Sequence, residues 1–499
     1  MIAALIFVFV ILVVFQNYYW KRRNLPPGPA PMPFFGNLLE IRKGNHPDFY
    51  VKCTKKYGDI YTVWMGLTPL VCVNDIEAVN EHFLRDGETY TGRHFPKEMM
   101  EILKNGITGI VFTEGQLWRE HRRFALSVFR DFGVGKNLME EKILDEIVPL
   151  FEDIDADIDA GVVNHSITDH INVTIGSIIN ALIMGHKYRS KERRVEFFKI
   201  KHIIDATFKE LAHGIALVFQ FKTHMFKNWP YFGKFYKKIT ASRDVVMNYF
   251  KEKVAEKRAT IDFDSDAPIE DYVEAYLRKQ KALEDAGSPH YFDDEQLYGT
   301  MWDLWTAGQE TTANTTNWCV VYLINHPEVQ EKLQAELGTI VSPDQLVTND
   351  QRNRTPYLNA VIAELQRLSN VIETNAIHRT TKDTIVHGYK IPEGTAIISH
   401  ISSILYDERY FPEPYAFKPE RFIDENGAFK QHPALIPFGV GKRSCLGEAL
   451  AKMELYLVIA NMFNRYKFSA DPEKPVPLTR IMSGTINAAP YNCRIEKRF

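Results

Sequence analysis

The chain has 499 residues, more than one ordinary core holds, yet no composition break or Gly/Ser-rich linker divides it. Its 60 basic and 63 acidic residues give a net charge of −3, which speaks against nucleic acid as a main partner. Five scattered cysteines without a CxxC pair speak against a zinc cluster or a disulfide framework and favour a reducing compartment.

Residues 1–23 carry a targeting signal. An apolar run over residues 1–15 precedes three aromatic residues at 18–20 and three basic residues at 21–23. A twenty-residue helix spans roughly 30 Å, about one hydrocarbon core, and aromatic and then basic residues mark the cytoplasmic boundary. A cleaved signal peptide is the alternative, but the positive charge follows the apolar run and no small-residue cleavage site is present. We therefore predict an N-terminal transmembrane helix that anchors a cytosolic chain.

A proline-rich segment over residues 24–37 predicts a stiff hinge, because proline lacks the N–H that helix and sheet interiors need. The remaining residues, 38–499, are predicted to form one domain. Alternating apolar residues around a Gly/Pro turn predict a hairpin within residues 57–74, and helical patterns dominate from about residue 75. Together these patterns predict a mainly α fold with small β sheets.

Residues 202–236 are helical in pattern and rich in aromatic side chains, with lysines between them. These aromatic residues are either ordinary core packing or the roof of an apolar pocket near a membrane surface.

One long helix is predicted from about Asp293 to Ile324. Inside it stand Gly308, Thr311 and Thr312, which are poor choices for a helix interior, since glycine costs about 1 kcal/mol relative to alanine. A threonine hydroxyl can bond to a preceding carbonyl and bend the helix, and a bend here would open a groove. The neighbouring Glu310 is either a solvated acid on an ordinary polar face or part of the chemistry of that groove.

Cys445 ends a glycine-rich turn that runs directly into a helix-forming segment. The dipole and N–H groups of that helix would stabilise a thiolate. A lone cysteine is usually buried and inert, but a thiolate in a shaped, half-dry pocket can hold haem iron. Four residues give this turn its character: Phe438, Gly441, Arg443 and Gly447.

This turn resembles the haem-ligand signature of the cytochrome P-450 family, with all five residues matching. Three further segments match family motifs in the same order: residues 307–312, Glu364 to Arg367, and residues 419–422. The resemblance covers nearly the whole chain and is closest to animal microsomal forms that handle foreign compounds. It implies the triangular, mainly helical P-450 fold and a haem-thiolate monooxygenase that inserts one oxygen atom of O2 into a lipophilic small molecule.

The resemblance also implies roles for individual residues. Cys445 would be the axial ligand of haem b, and Thr311 with Glu310 would deliver protons to bound oxygen. Glu364, Arg367 and Arg421 would form a structural lock. Arg379 adjoins His378 and could take its place as a contact to the haem propionates. The residues implied to contact the haem propionates are Trp118, Arg122, Arg93, His378 and Arg443. The residues implied to line the substrate pocket are Val111, Phe112, Asp303, Trp305, Ala307, Ile372, Ile377 and Met482.

A basic set is either an ordinary solvated face or a docking face for an acidic electron donor. Its members are Arg119, Arg123, Arg130, Lys136 and Lys442. The chain has no GxGxxG or flavin signature, so electrons from NADPH would arrive through NADPH–cytochrome reductase, with cytochrome b5 as a further candidate donor. The resemblance implies the endoplasmic reticulum membrane as the location.

Two other functions stand beside the monooxygenase. Some relatives isomerise or dehydrate peroxides on a haem-thiolate without a reductase, and a non-catalytic haem or lipid-binding membrane protein is the third hypothesis. The residues suited to proton delivery favour the monooxygenase.

Overall fold

The computed structural model describes residues 2–43, 46–133, 137–211, 225–342 and 345–499. These residues are mainly helical with small β sheets, as the sequence predicts. They divide into two compact units. The first comprises Met1–His94, Ile372–Ala416 and His432–Cys445, and the second comprises Phe95–Val371, Phe417–Gln431 and Leu446–Phe499.

The described helices are α1 (Ile2–Tyr18), α2 (Leu38–Lys43), α3 (His46–Tyr57), α4 (Ile76–Val79), α5 (Lys97–Lys104), α6 (Gly115–Asp131), α7 (Asn137–Asp159), α8 (Ile167–Met184), α9 (Lys191–Leu211), α10 (Pro230–Thr260), α11 (Tyr272–Asp285), α12 (Asp294–Asn325), α13 (Pro327–Gly338), α14 (Pro356–Ser369), α15 (Ile401–Leu405) and α16 (Glu448–Arg465). The strands are β1 (Ile60–Met65), β2 (Thr68–Val73), β3 (Gly92–Arg93), β4 (His378–Arg379), β5 (Thr384–Val386), β6 (Tyr389–Ile391), β7 (Ala396–Ser399), β8 (Tyr466–Ser469), β9 (Arg480–Ser483), β10 (Thr485–Ala488) and β11 (Arg494–Lys497).

The first unit is built on a five-stranded sheet of order β1-β2-β7-β4-β3. The antiparallel pair β1–β2 confirms the predicted hairpin, with Val63 opposite Leu70 in its buried centre. Strand β2 pairs in parallel with β7, and the far edge of the sheet pairs β3 with β4 so that Arg93 lies opposite His378. The sheet therefore brings two basic residues from distant parts of the chain to one edge.

Helix α12 is the centre of the second unit. It confirms the predicted helix, and the Asp293 side chain caps its start by accepting a hydrogen bond from the Gln296 N–H at 2.8 Å. It packs against α8, α14 and α16. Helix α8 is buried along most of its length, including polar residues such as Asn172 and Asn180, so it is surrounded by protein.

Helix α1 holds 17 residues, or about 26 Å at the usual helical rise. Its side chains Phe7, Phe9 and Leu12 are exposed. Among the described helices of at least 18 residues, α8 alone is long and apolar enough to span a bilayer, and 78% of it is buried inside the protein. The N-terminal membrane helix stays a prediction.

Part of the aromatic region, residues 212–224, lies outside the described residues. In the remainder, Trp229 and Tyr231 are exposed, whereas Phe232 packs against the buried Ile102 and Ile239. Some of these aromatic residues are thus core, and others face outward.

Candidate functional site

The Cys445 turn is shaped by its packing against a π-helical segment, Asn80–Arg85. Gly441 has φ +79°, and a Cβ atom there would stand 1.8 Å from the carbonyl oxygen of Phe83. Both facts require glycine at this position. The Cys445 N–H donates to the carbonyl of Phe438 at 2.9 Å, which closes the turn. At Gly447, by contrast, a Cβ atom would meet no protein atom, so packing within the protein does not explain that glycine.

Cys445 differs from the other four cysteines in its exposure. All five cysteines lie among the described residues, and Cys53, Cys72, Cys319 and Cys493 are buried while Cys445 is exposed. Burial raises the pKa of Cys53 and Cys493 to about 12 and also raises the pKa of Cys72 and Cys319. Buried, protonated thiols are inert, so Cys445 is the cysteine able to ligate an external metal.

Three basic side chains gather beside this turn in the first unit. Arg443 Nε donates to Thr91 O at 2.9 Å, and Arg93 Nη1 donates to Ala376 O at 2.7 Å. His378 Nδ1 lies 2.6 Å from Tyr90 O and therefore carries the proton, because a carbonyl only accepts.

The electrostatics of this cluster favour an anionic guest. Burial, and then the charges of Arg93 and Arg443, lower the pKa of His378 to about 3, so this imidazole is neutral at pH 7. A carboxylate placed among the two guanidinium groups would lower their mutual repulsion and raise the pKa of His378. The cluster thus has the charge that two propionates would need.

Helix α6 in the second unit carries arginine residues on two faces. Trp118 is buried and Arg122 is half-buried one turn later, while Arg119, Arg123 and Arg130 are exposed on the other face. Lys136 lies outside the described residues. Lys442, in the first unit, is half-exposed and lies 3.7 Å from Glu88 Oε1.

The centre of α12 has one open face. Ala307 is exposed and Thr311, one turn later, is partly exposed, although most residues around them are buried. The Thr311 hydroxyl donates to Ala307 O at 2.8 Å, the back-bonding that the sequence predicts. The helix nevertheless remains α-helical throughout this segment, so any groove is an open face rather than a break.

Glu310, next to Thr311 in the chain, belongs to an ionic network between α12 and α9. Its carboxylate contacts the ammonium of Lys201, and its Oε2 accepts from Asn314 Nδ2 at 3.1 Å. Lys201 Nζ also lies 3.0 Å from Asp205 Oδ2. Sequence reasoning missed Lys201 and Asp205, although a lysine on the apolar face of a helix, four residues before an aspartate, was a usable signal.

Glu364 forms the buried centre of the predicted structural lock. Its carboxylate accepts from Arg367 Nε at 2.7 Å and Arg367 Nη2 at 2.9 Å, and from Arg421 Nε at 3.0 Å. It also accepts from the Lys418 N–H at 2.9 Å. The side chains of Glu364 and Arg367 are 0% exposed, so the pair is far from surface decoration.

Comparison with known proteins shows to which family the chain is similar. The family model of cytochrome P450 matches residues 26–492. The chain is 32% identical to cytochrome P450 2B19 of Mus musculus over 469 residues, covering 94% of this chain and 92% of the mouse protein.

The chain belongs to the cytochrome P450 family. Similar relatives are cytochrome P450 2C16 of Oryctolagus cuniculus, 32% identical over 95% of this chain and 94% of the rabbit protein, and cytochrome P450 2M1 of Oncorhynchus mykiss, 32% identical over 93% and 90%. This cytochrome P450 is therefore an oxidoreductase, a haem-thiolate monooxygenase whose cofactor is haem b. The exposed thiol of Cys445, the basic cluster beside it and the open side of Gly447 fit that cofactor.

Two residues predicted to line the substrate pocket of this cytochrome P450 make contacts within the protein. The Asp303 carboxylate binds Lys104 Nζ at 2.6 Å and accepts from the N–H groups of Ile110 and Val111 at 2.7 and 2.9 Å. Trp305 is fully buried, with its ring 6.0 Å from that of Phe197. Asp303 thus fixes the loop before α6 and Trp305 packs in the core, and the pocket role of both stays a prediction.

The other pocket candidates remain accessible. Ala307 and Met482 are exposed, and Val111, Ile372 and Ile377 are partly exposed. Phe112 is partly exposed and packs on Phe95, with ring centroids 4.5 Å apart.

Proposed function

We propose that this cytochrome P450 is anchored in the endoplasmic reticulum membrane by residues 1–23, linked by the hinge 24–37 to a cytosolic catalytic domain, 38–499. Its substrates are lipophilic small molecules: foreign compounds, fatty acids or steroid-like compounds. The exposed apolar side chains of α1 support the anchor, since they are costly in water and favourable in lipid. The basic residues after α1 support the cytosolic orientation.

The observation that carries the catalytic proposal is the exposed Cys445 thiol beside the Arg93–His378–Arg443 cluster. Cys445 would hold the haem iron through its thiolate, and Phe438, Gly441 and Gly447 would shape the surroundings of that sulfur. The basic cluster would bind the propionates through charge-assisted hydrogen bonds. Trp118 and Arg122 of α6 keep their predicted role as further contacts to the propionates. When bound, haem supplies the iron at which O2 is activated for transfer of one oxygen atom to the substrate.

The chain's own acids and hydroxyls supply the protons for this reaction. The Thr311 hydroxyl lies on the open face of α12. While it donates its hydrogen bond to Ala307 O, its oxygen can still accept one. By turning, it can donate toward that face instead. Glu310 adjoins it and is the acid that replaces the proton. The role of lining the substrate pocket stays with eight residues: Val111, Phe112, Asp303, Trp305, Ala307, Ile372, Ile377 and Met482.

Removing either proton donor is expected to uncouple the enzyme. In Thr311→Ala and Glu310→Gln, product formed per NADPH should fall about 100-fold, the lower end of the usual contribution of a general acid. Hydrogen peroxide should take the place of product, because without timely proton delivery the reduced oxygen is released as peroxide before its O–O bond breaks. Both quantities are measured in vesicles with reductase and a lipophilic substrate.

The matched control is Thr306→Ala, because the Thr306 hydroxyl makes the same kind of back bond, to Trp302 O at 2.7 Å. Unchanged coupling in both variants would overturn the proton-delivery roles. Turnover of a peroxide substrate without NADPH or reductase would favour the isomerase hypothesis instead.

Electrons from NADPH arrive through a flavoprotein reductase, with cytochrome b5 as a second donor. The exposed arginines 119, 123 and 130 of α6 are the described part of the docking face on this helix, and Lys442 belongs to the same basic set. Complementary charge raises the association rate of an acidic donor with such a face more than it raises the affinity.

Reversing the charge of one arginine should show whether this face docks the reductase. In Arg123→Glu the rate of reduction by reductase is expected to fall about tenfold at low salt, and the difference should shrink as salt screens the charges. The exposed Arg193 on α9 provides the control variant Arg193→Glu. Equal reduction rates in the two variants, measured by stopped flow, would contradict the assignment.

A further inference from the structure

The turn that carries Cys445 has a second neighbour besides the π-helical segment. Gly439, six residues before Cys445, has φ +68°, and a Cβ atom there would lie 3.2 Å from Oδ1 and 3.4 Å from Nδ2 of Asn375. The side-chain amide of Asn375 therefore packs directly against the backbone at Gly439. Asn375 belongs to the segment 372–377 of the first unit, which also contains the Cys445 turn.

A hydrogen bond fixes the amide of Asn375. Its Nδ2 donates to Ser399 Oγ at 2.9 Å. Ser399 is the last residue of strand β7 and is 1% exposed, so the five-stranded sheet holds the nitrogen of the amide. The oxygen of the amide is the closer of its two polar atoms to the Cβ position of Gly439. One side chain thus connects the sheet to the turn.

The backbone around Asn375 is itself held in place on both sides. Ser402 Oγ donates to Glu373 O at 2.9 Å, and Arg93 Nη1 donates to Ala376 O at 2.7 Å. These bonds lie two residues before and one residue after Asn375. Because groups in close contact transmit a displacement rather than absorb it, the amide cannot withdraw from the turn without moving this backbone.

One peptide group carries the effect of the contact to the cysteine. The peptide between Phe438 and Gly439 donates through the Gly439 N–H to Ile436 O at 3.0 Å, and its Phe438 carbonyl accepts from the Cys445 N–H at 2.9 Å. The backbone against which the Asn375 amide packs is thus the backbone that bonds to Cys445. A rotation of this peptide would weaken both hydrogen bonds, since each depends on its orientation.

We propose that Asn375 is a positioning residue that holds the Phe438–Gly439 peptide in the orientation that fixes Cys445, and so keeps the cysteine thiolate on the haem iron. This inference rests on the proposed role of Cys445 as the ligand. Asn375 acts through its packing and its bond to Ser399, and it takes no part in the chemistry. Loss of its amide leaves a gap beside Gly439 into which the peptide can turn.

Asn375→Ala tests this role in the full-length, haem-loaded protein. The red-shifted Soret band of the reduced, carbon monoxide-bound form reports the thiolate ligand. Its rate of disappearance in urea is measured beside the rate of global unfolding, followed by tryptophan fluorescence. We expect the band to be lost about tenfold faster than in the wild type, in keeping with the loss of one hydrogen bond and its packing. Global unfolding should change much less, whereas a purely structural role would accelerate both processes together.

Two further variants sharpen the test. Ser399→Ala removes the partner of the amide and should produce the same change in smaller degree, even if Asn375→Ala does not fold. The double variant should lose the band no faster than Asn375→Ala alone, because both substitutions act on one contact. Asn74→Ala is the matched control: this amide is buried in the same unit and donates to Asp59 O at 3.0 Å. Its loss should speed global unfolding without a separate, faster loss of the band.

The outcomes separate the positioning role from the proposed function. If the band of Asn375→Ala and of Ser399→Ala disappears at the wild-type rate, or only together with the rest of the fold, the positioning role is wrong and the proposed function stands. If the haem-loaded wild type itself has no red-shifted band, the assignment of Cys445 as the ligand fails, and the positioning role fails with it.

Discussion

Replacing Cys445 by histidine is expected to remove the spectroscopic signature of a haem-thiolate enzyme and to reduce substrate oxidation to background. A thiolate pushes electron density toward the iron, which favours O–O cleavage, and a neutral imidazole does not. The reduced, carbon monoxide-bound wild type should show a strongly red-shifted Soret band that Cys445→His lacks. Haem content, measured separately, establishes whether the variant still holds its cofactor.

Cys53→Ala provides the control for this experiment. Cys53 belongs to the same unit and is buried, with burial raising its pKa to about 12, so its loss should leave the red-shifted band unchanged. Persistence of the band in well-folded, haem-loaded Cys445→His would refute the ligand assignment. With it would go the assignment of the basic cluster to the propionates.

The second large effect is expected in the lock around Glu364. Glu364→Gln removes the negative charge that neutralises a fully buried Arg367, and it turns an acceptor into a donor facing that guanidinium. Loss of one partner from a buried ion pair costs about 3–5 kcal/mol. Because chains of this size often unfold irreversibly, the suitable measurement is the unfolding rate in urea. A loss of about 3 kcal/mol that falls entirely on the unfolding barrier accelerates unfolding roughly 150-fold.

A surface pair offers the contrast. Lys332 and Glu420 lie 2.9 Å apart but are 55% and 56% exposed, so Lys332→Gln should change stability by less than about 1 kcal/mol. If Glu364→Gln unfolds no faster than Lys332→Gln, the lock contributes little to the fold. Arg367→Lys should be intermediate, since lysine keeps the charge and loses the two-pronged geometry.

Features with local signals were predictable from the sequence. The hairpin β1–β2 follows from alternation around Gly66, and α12 follows from its cap at Asp293 and its length. The turn at Cys445 could be predicted because its glycines meet a local requirement: Gly441 has a backbone conformation that other residues rarely adopt.

Contacts between distant segments were not predictable in the same way. Asp303 and Lys104 are 199 residues apart, and Glu310 and Lys201 are 109 apart, so no periodicity links them. The ion pair of Asp303 could not be predicted because spacing along a helix tells which face a residue occupies but not what packs there. The buried ammonium of Lys104 gives that face its structural role.

The order in which the chain leaves the ribosome has consequences for this architecture. The first unit is assembled from three segments, of which the last ends at Cys445. Arg443 reaches the carbonyl of Thr91 across 352 residues of chain, and closing so long a loop costs entropy before any contact repays it. The contact between Arg443 and Thr91 beside the Cys445 turn therefore cannot form until nearly nine-tenths of the polypeptide has been translated. The proposed membrane anchor, residues 1–23, is translated first, so it can reach a membrane long before the proposed haem site is complete.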